Sequence, residues 1–376
     1  MNAPPSLLEL LGASWESGAP VVAVAWNAKG NSVGFAQGDG HLAVADANWA
    51  HGPRIEPKPG GGVAVVAAEV PATRPVRASC HQGSCLCIAA DASGGFFTGG
   101  DDGRVVQVPR SGHPSILADL PGAWIDALAC NQAGVVAHAS GRRVTRTTVS
   151  GDDVIELPAP ATALSFSPDG RCLAAAHSDG VTLWSDSGLP RRLAWRGYHR
   201  ALAWSPNGQY LVTGMQVNAL HGWRVADGGD IEMGGYPGQP LSLSFAHDGR
   251  YLATSGGTRP VCWGFDPPGG ADQPVECGIP SKTPVSCVSC HPRQSLIAAG
   301  YFNGAVLLCR PGSDEGLFIK GSGGGAVNAL AWSGDGSRLA FGTQDGVFGW
   351  VGLPDELFAA RNPAPPGSQP ERKAMP

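Results

Sequence analysis

The sequence predicts an all-β fold, a closed β-propeller of four-stranded antiparallel blades. Two observations carry this. A pattern of short apolar strands recurs eight times in 376 residues, and tight-turn residues punctuate the copies at matching places. In the clearest copy Ala163 to Phe166 is a strand, Ser-Pro-Asp-Gly turns it, and Cys172 to Ser178 returns. Asp179-Gly180 then opens a third strand that ends at Trp184. The residues closing the first strand of each unit are Trp26, Ala90, Cys130, Phe166, Trp204, Phe245, Cys290 and Trp332. After a first gap of 64 their spacings are 40, 36, 38, 41, 45 and 42. A period near 40 with several short strands per unit marks a propeller blade.

In chain order, Ser6 to Leu11 is a short apolar run and is expected to be the strand that closes the last blade. Unit one follows, with its turns at Lys29-Gly30 and Asp39-Gly40. The long first gap holds a Pro/Gly-rich stretch (Pro57 to Gly62) and an apolar run (Val63 to Ala68), so residues 47–79 are expected to form a surface insertion plus the outer strand of blade one. Later units turn at Ser93-Gly94, Asp169-Gly170, Asn207-Gly208, Asp248-Gly249 and Asp335-Gly336, where tight hairpins demand Gly or Asn. Third strands ending in Trp184, Trp223, Trp263 and Trp350 supply aromatic core. Residues 1–354 are thus expected to form one ring. The polar, Pro-rich stretch 355–376 is expected to hold a short helix near Leu357 to Arg361 and otherwise disorder. Eight units imply eight blades, with seven as the alternative because the copies are degenerate.

These features resemble the tryptophan–aspartate (WD) repeat propellers, over roughly residues 6 to 353, and in particular stand-alone bacterial members. The resemblance implies closure of the ring by an N-terminal strand, which removes exposed sheet edges. It also implies a non-catalytic platform that binds a protein or peptide on its top face, formed by the loop before each inner strand and the turn between second and third strands. Aromatic and Arg side chains are the usual interface anchors, and Trp124, Tyr198, Arg200, Arg259 and Tyr301 are the expected partner-binding residues.

Composition narrows the alternatives. A net charge of −5 without a basic block argues against nucleic acid. No apolar run long enough for a membrane span occurs, and the first twenty residues lack a secretory pattern. Ten Cys scattered without framework spacing point to free thiols and a cytoplasmic setting.

The sharpest local cluster is Cys80, His81 and Cys85, with Cys87 beyond. Thiolate and imidazole this close suit zinc or copper. The alternative function is therefore a metal-binding or metal-homeostasis accessory role, and some propellers of this kind are thought to accompany metal-chaperone GTPases. The bland reading is that His81, nine residues before Ala90, is the structural His of the WD repeat, paired with Asp102 by way of Thr98. Cys85 and Cys87 would then share one face of an inner strand. Cys287-x-x-Cys290-His291 lies inside a strand, where residues three apart point to opposite faces. No catalytic motif or phosphate loop is present. The expected answer is no enzyme and no cofactor.

Overall fold

The computed structural model describes residues 5–58, 62–186, 188–265 and 273–359. Eight four-stranded antiparallel sheets follow one another, and seven of them run in chain order. The first strand of every sheet packs against the first strands of both neighbours, closing a ring of eight blades. Blade four shows the plan, with Ala163–Phe166 innermost, then Cys172–His177, Gly180–Ser185 and Arg191–Ala194.

The blades are joined by a recurring tie. The anchor side chain donates to the carbonyl just before the anchor of the preceding blade. Trp26 Nε1 reaches Ala331 at 2.9 Å, Trp332 Nε1 reaches Ser289 at 3.1 Å, and Trp204 Nε1 reaches Ser165 at 3.3 Å. Cys290 does the same with its thiol, Sγ to the Ser244 carbonyl at 3.2 Å. Glycine permits the other half of the fit. A Cβ at Gly300 in blade seven would stand 2.6 Å from Val327 of blade eight, and one at Gly99 in blade two 2.6 Å from the Ile125 carbonyl of blade three. The second strands of these blades can therefore sit against the start of the next inner strand only without a side chain. Trp184, Trp223, Trp263 and Trp350 are all buried between blades, as their place at the ends of third strands predicts.

The closing strand is shifted from where the sequence placed it. Residues 6–11 do not form it. Leu7–Leu11 is a helix, and Gly12–Glu16 pairs with Val347–Gly352 as the outer strand of blade eight. The helix is set by a capping box: Ser6 Oγ accepts from the Glu9 backbone, and the Glu9 carboxylate accepts from the Ser6 backbone at 2.6 Å. Leu8 and Leu11 then bury one side of it.

Within 47–79 the outer strand of blade one is Val76–Ser79. The apolar run instead forms a separate hairpin, Val63–Val66 paired with Arg54–Pro57. In the tail, Glu356–Ala359 is helical, and 360–376 lies outside the described residues.

Candidate functional site on the top face

The inner strands are not regular at the top. In five blades the ladder between first and second strands shifts by one residue at the same place, four before the anchor: at Val22, Leu86, Arg200, Ser286 and Asn328. A bulge there re-aims one side chain near the top of the inner strand. Ser286 and Asn328 use the position to bind the next blade, through the Val327 carbonyl at 2.6 Å and the Val21 carbonyl at 3.0 Å. Arg200 is exposed at its position and has no hydrogen-bond or ion-pair partner among the described residues.

The five expected anchors divide. Trp124, 65% exposed, and Tyr198, 45% exposed, stand on the loops before the inner strands of blades three and five. With Arg200 they form an accessible set. Arg259 is not free. Its guanidinium is mostly covered, binds Glu276 at 3.4 Å, and forms a close pair with Asp314. Tyr301 is 3% exposed, so it belongs to the core between blades six and seven rather than to the surface. Burial pushes its phenol up to about 12. Phe302, one residue on, is the exposed ring of that turn, because alternation turns neighbouring side chains to opposite sides. Val217 and Leu241 are further exposed apolar side chains on these loops, so the accessible apolar surface spans blades three to seven.

The Cys/His cluster is arranged differently from a metal cage. His81 Nδ1 meets Asp102 Oδ1 at 2.9 Å and His81 Nε2 meets Thr98 Oγ1 at 3.0 Å, so both ring nitrogens are engaged inside the protein. Gly100 leaves room for the ring to lie against the second strand. Burial alone would raise Asp102, but hydrogen bonds from His81 and from the Gln82 and Arg104 amides hold its carboxyl below the ordinary value. Cys80 Sγ faces the Ala78 carbonyl at 3.6 Å and Cys85 Sγ the His41 carbonyl at 3.5 Å. Cys85 and Cys87 do not share a face. The bulge at Leu86 breaks the alternation, and Cys87 Sγ points the other way, to the Ile125 carbonyl of blade three at 3.3 Å. In the second cluster Cys287 points to Val327 of blade eight and Cys290 to Ser244 of blade six. Cys277 pairs instead with Cys262, the two sulfurs 3.2 Å apart. No group of three or more His, Cys, Asp or Glu among the described residues is placed to hold one ion.

A histidine group in blades four and five gave no clear sequence signal. His177 contacts Thr182, while His199 contacts Thr213 at 2.7 Å and the Trp195 carbonyl at 3.0 Å. His221 lies flat on Trp195, centroids 3.8 Å apart, with Trp223 edge-on at 4.6 Å. Neither of its nitrogens has a partner among the described residues. Burial drives His177 and His221 down to about 4 and lowers His199.

The WD domain, G-beta repeat model matches residues 149–185, which run from the outer strand of blade three through the third strand of blade four. That segment is one full sequence repeat of the eight-bladed ring. The chain thus carries a WD-type repeat within an eight-bladed β-propeller. Among solved structures the chain is similar to the computationally designed Ika8 protein, with a TM-score of 0.66 over 89% of this chain and 97% of that one. The two are 16% identical, so the likeness is one of fold. No curated protein matches the chain. WD-repeat propellers are generally non-catalytic scaffolds that bind protein partners. No helix among the described residues is long and apolar enough to cross a membrane.

Proposed function

We propose that this propeller is a non-catalytic, cytoplasmic platform that binds a protein or peptide across the top face, with Trp124, Tyr198 and Arg200 as its anchors. The observation that carries the reading is Arg200. It stands at the bulge of the inner strand, exposed and without a partner among the described residues, while its counterparts Ser286 and Asn328 are spent on holding blades together. Two exposed aromatic rings on the neighbouring loops supply the large contact area that interfaces concentrate. The test is affinity capture with wild type against the Trp124→Ala/Tyr198→Ala/Arg200→Ala variant. A partner recovered by wild type should be lost from the variant, with the melting curve unchanged. Equal recovery by both would remove the site.

The metal-handling reading has less behind it, because His81 would have to give up Asp102 or Thr98 to bind an ion. Elemental analysis of tag-free protein decides it: less than ~0.1 equivalent of zinc or copper after loading ends that reading.

A further inference from the structure

The top face is electrically two-sided. On blades eight, one and two its second-to-third-strand turns carry Asp345, Asp39, Asp101 and Asp102. Asp39 is ion-paired to Arg77, and Asp102 is hydrogen-bonded to the His81 ring. On blades three to five the sign reverses. Arg143 begins the third strand of blade three beside its turn, and Arg196 and Arg200 flank Tyr198 on the loop into blade five. All three are exposed and have no ion-pair or hydrogen-bond partner among the described residues. Arg142 and Arg192 nearby are already matched, to Glu156 and Asp179. The loop carrying Arg196 lies over the turn of blade four, since the Gly197 amide donates to the Ser178 carbonyl at 3.1 Å. Its arginines are therefore held on a fixed support. Asp126, at the bulge-equivalent position of blade three, and Glu232, in the outer strand of blade five, are acids of this sector without an ion-pair partner among the described residues.

We infer that the partner presents an acidic peptide segment, laid across blades three to five with its carboxylates on Arg143, Arg196 and Arg200 and an apolar side chain between Trp124 and Tyr198. The inference rests on the top-face reading and names the chemistry of its partner. Unmatched arginines beside exposed aromatic rings favour carboxylates with apolar neighbours, and the acidic turns of blades eight, one and two disfavour a path across those blades. Fields of this kind steer association and choose partners more than they add affinity.

The experiment is selection of a random displayed peptide library on the intact protein, with Arg196→Glu/Arg200→Glu, Trp124→Ala and Arg310→Glu as comparison baits. Arg310 is an exposed arginine in the turn between the third and outer strands of blade seven, outside the proposed path. The expected result is enrichment of net-acidic peptides with aromatic or aliphatic residues. They should bind about tenfold or more weakly to the charge-reversed bait and equally to Arg310→Glu. Their affinity should fall as salt rises. Enriched peptides that are neutral or basic but still lost on Trp124→Ala would overturn the acidic partner and keep the top-face site. Acidic peptides insensitive to both Arg196→Glu/Arg200→Glu and Trp124→Ala would overturn both, as would no enrichment at all.

Discussion

Blades two and five handle buried histidine in opposite ways. In blade two, His81 is wedged between Asp102 and Thr98, and each nitrogen has a partner that accepts or donates as the ring requires. In blade five, His221 is buried between Trp195 and Trp223 with neither nitrogen satisfied. The first is a polar network in which a carboxylate and a hydroxyl face the ring. The second works only while the ring stays neutral. One fold repeat thus gives a blade held by hydrogen bonding and a blade held by stacked rings, and acid separates them.

The comparison breaks most severely if the stack itself is unimportant. Trp223→Ala should cost about 3–5 kcal/mol in urea unfolding, because a fully buried indole leaves a cavity beside His221. A loss near zero would show that the rings do not carry blade five.

The next effect is the acid response. The folded values of His177 and His221, about 4, lie below the ordinary histidine value of 6.5. Between these limits the unfolded chain binds more protons than the folded one, so stability rises with pH. The contribution is complete above pH 6.5 and is lost as pH falls from 6.5 towards 4. It is on the order of 2–3 kcal/mol for each histidine. Urea unfolding at pH 7 and at pH 4.5 reads it directly. His221→Phe should shrink the difference by its share and match or exceed wild type at pH 7, since it removes two orphaned buried atoms. For Asp102, also held below its ordinary value, the sign is the same at lower pH: its contribution is present above pH about 4 and is lost only in stronger acid.

A smaller loss is expected in blade two. His81→Ala leaves Asp102 and Thr98 without their partner and should cost roughly 1–3 kcal/mol at pH 7. The pH 7 to 4.5 difference, carried by blades four and five, should persist in this variant. If it vanished, the two blades would not be independent. The smallest effect is Cys290→Ser. Serine keeps a donor for the Ser244 carbonyl, so thermal unfolding should shift by less than ~1 kcal/mol. A much larger shift would give the thiol a role beyond linking blades six and seven.

The ring was legible because its signals are repeated and local: a bulky residue closing each first strand, Gly or Asn at each turn, Trp at the ends of third strands. The closing strand was misplaced by six residues although its cause is written in Ser6-x-x-Glu9, a capping box that starts a helix where apolar content alone suggested a strand. The bulges were invisible for a physical reason. Val22, Leu86, Arg200, Ser286 and Asn328 share no side-chain chemistry that could mark the backbone shift. The same shift overturned the shared face expected for Cys85 and Cys87. At the site, Trp124, Tyr198 and Arg200, expected to bind a partner, are exposed. Tyr301 was placed outside because the parity of its turn cannot be counted without the ladder. Arg259 was matched by Asp314, 55 positions along the sequence.

The strand Gly12–Glu16 belongs to the last blade although it precedes the first blade in the chain. During synthesis the third strand of blade eight, Val347–Gly352, must wait with a bare edge until a segment more than three hundred residues upstream returns to it. The ring therefore behaves like a bracelet with a clasp. Seven links can assemble in the order they leave the ribosome, but the circle becomes one only when the clasp shuts.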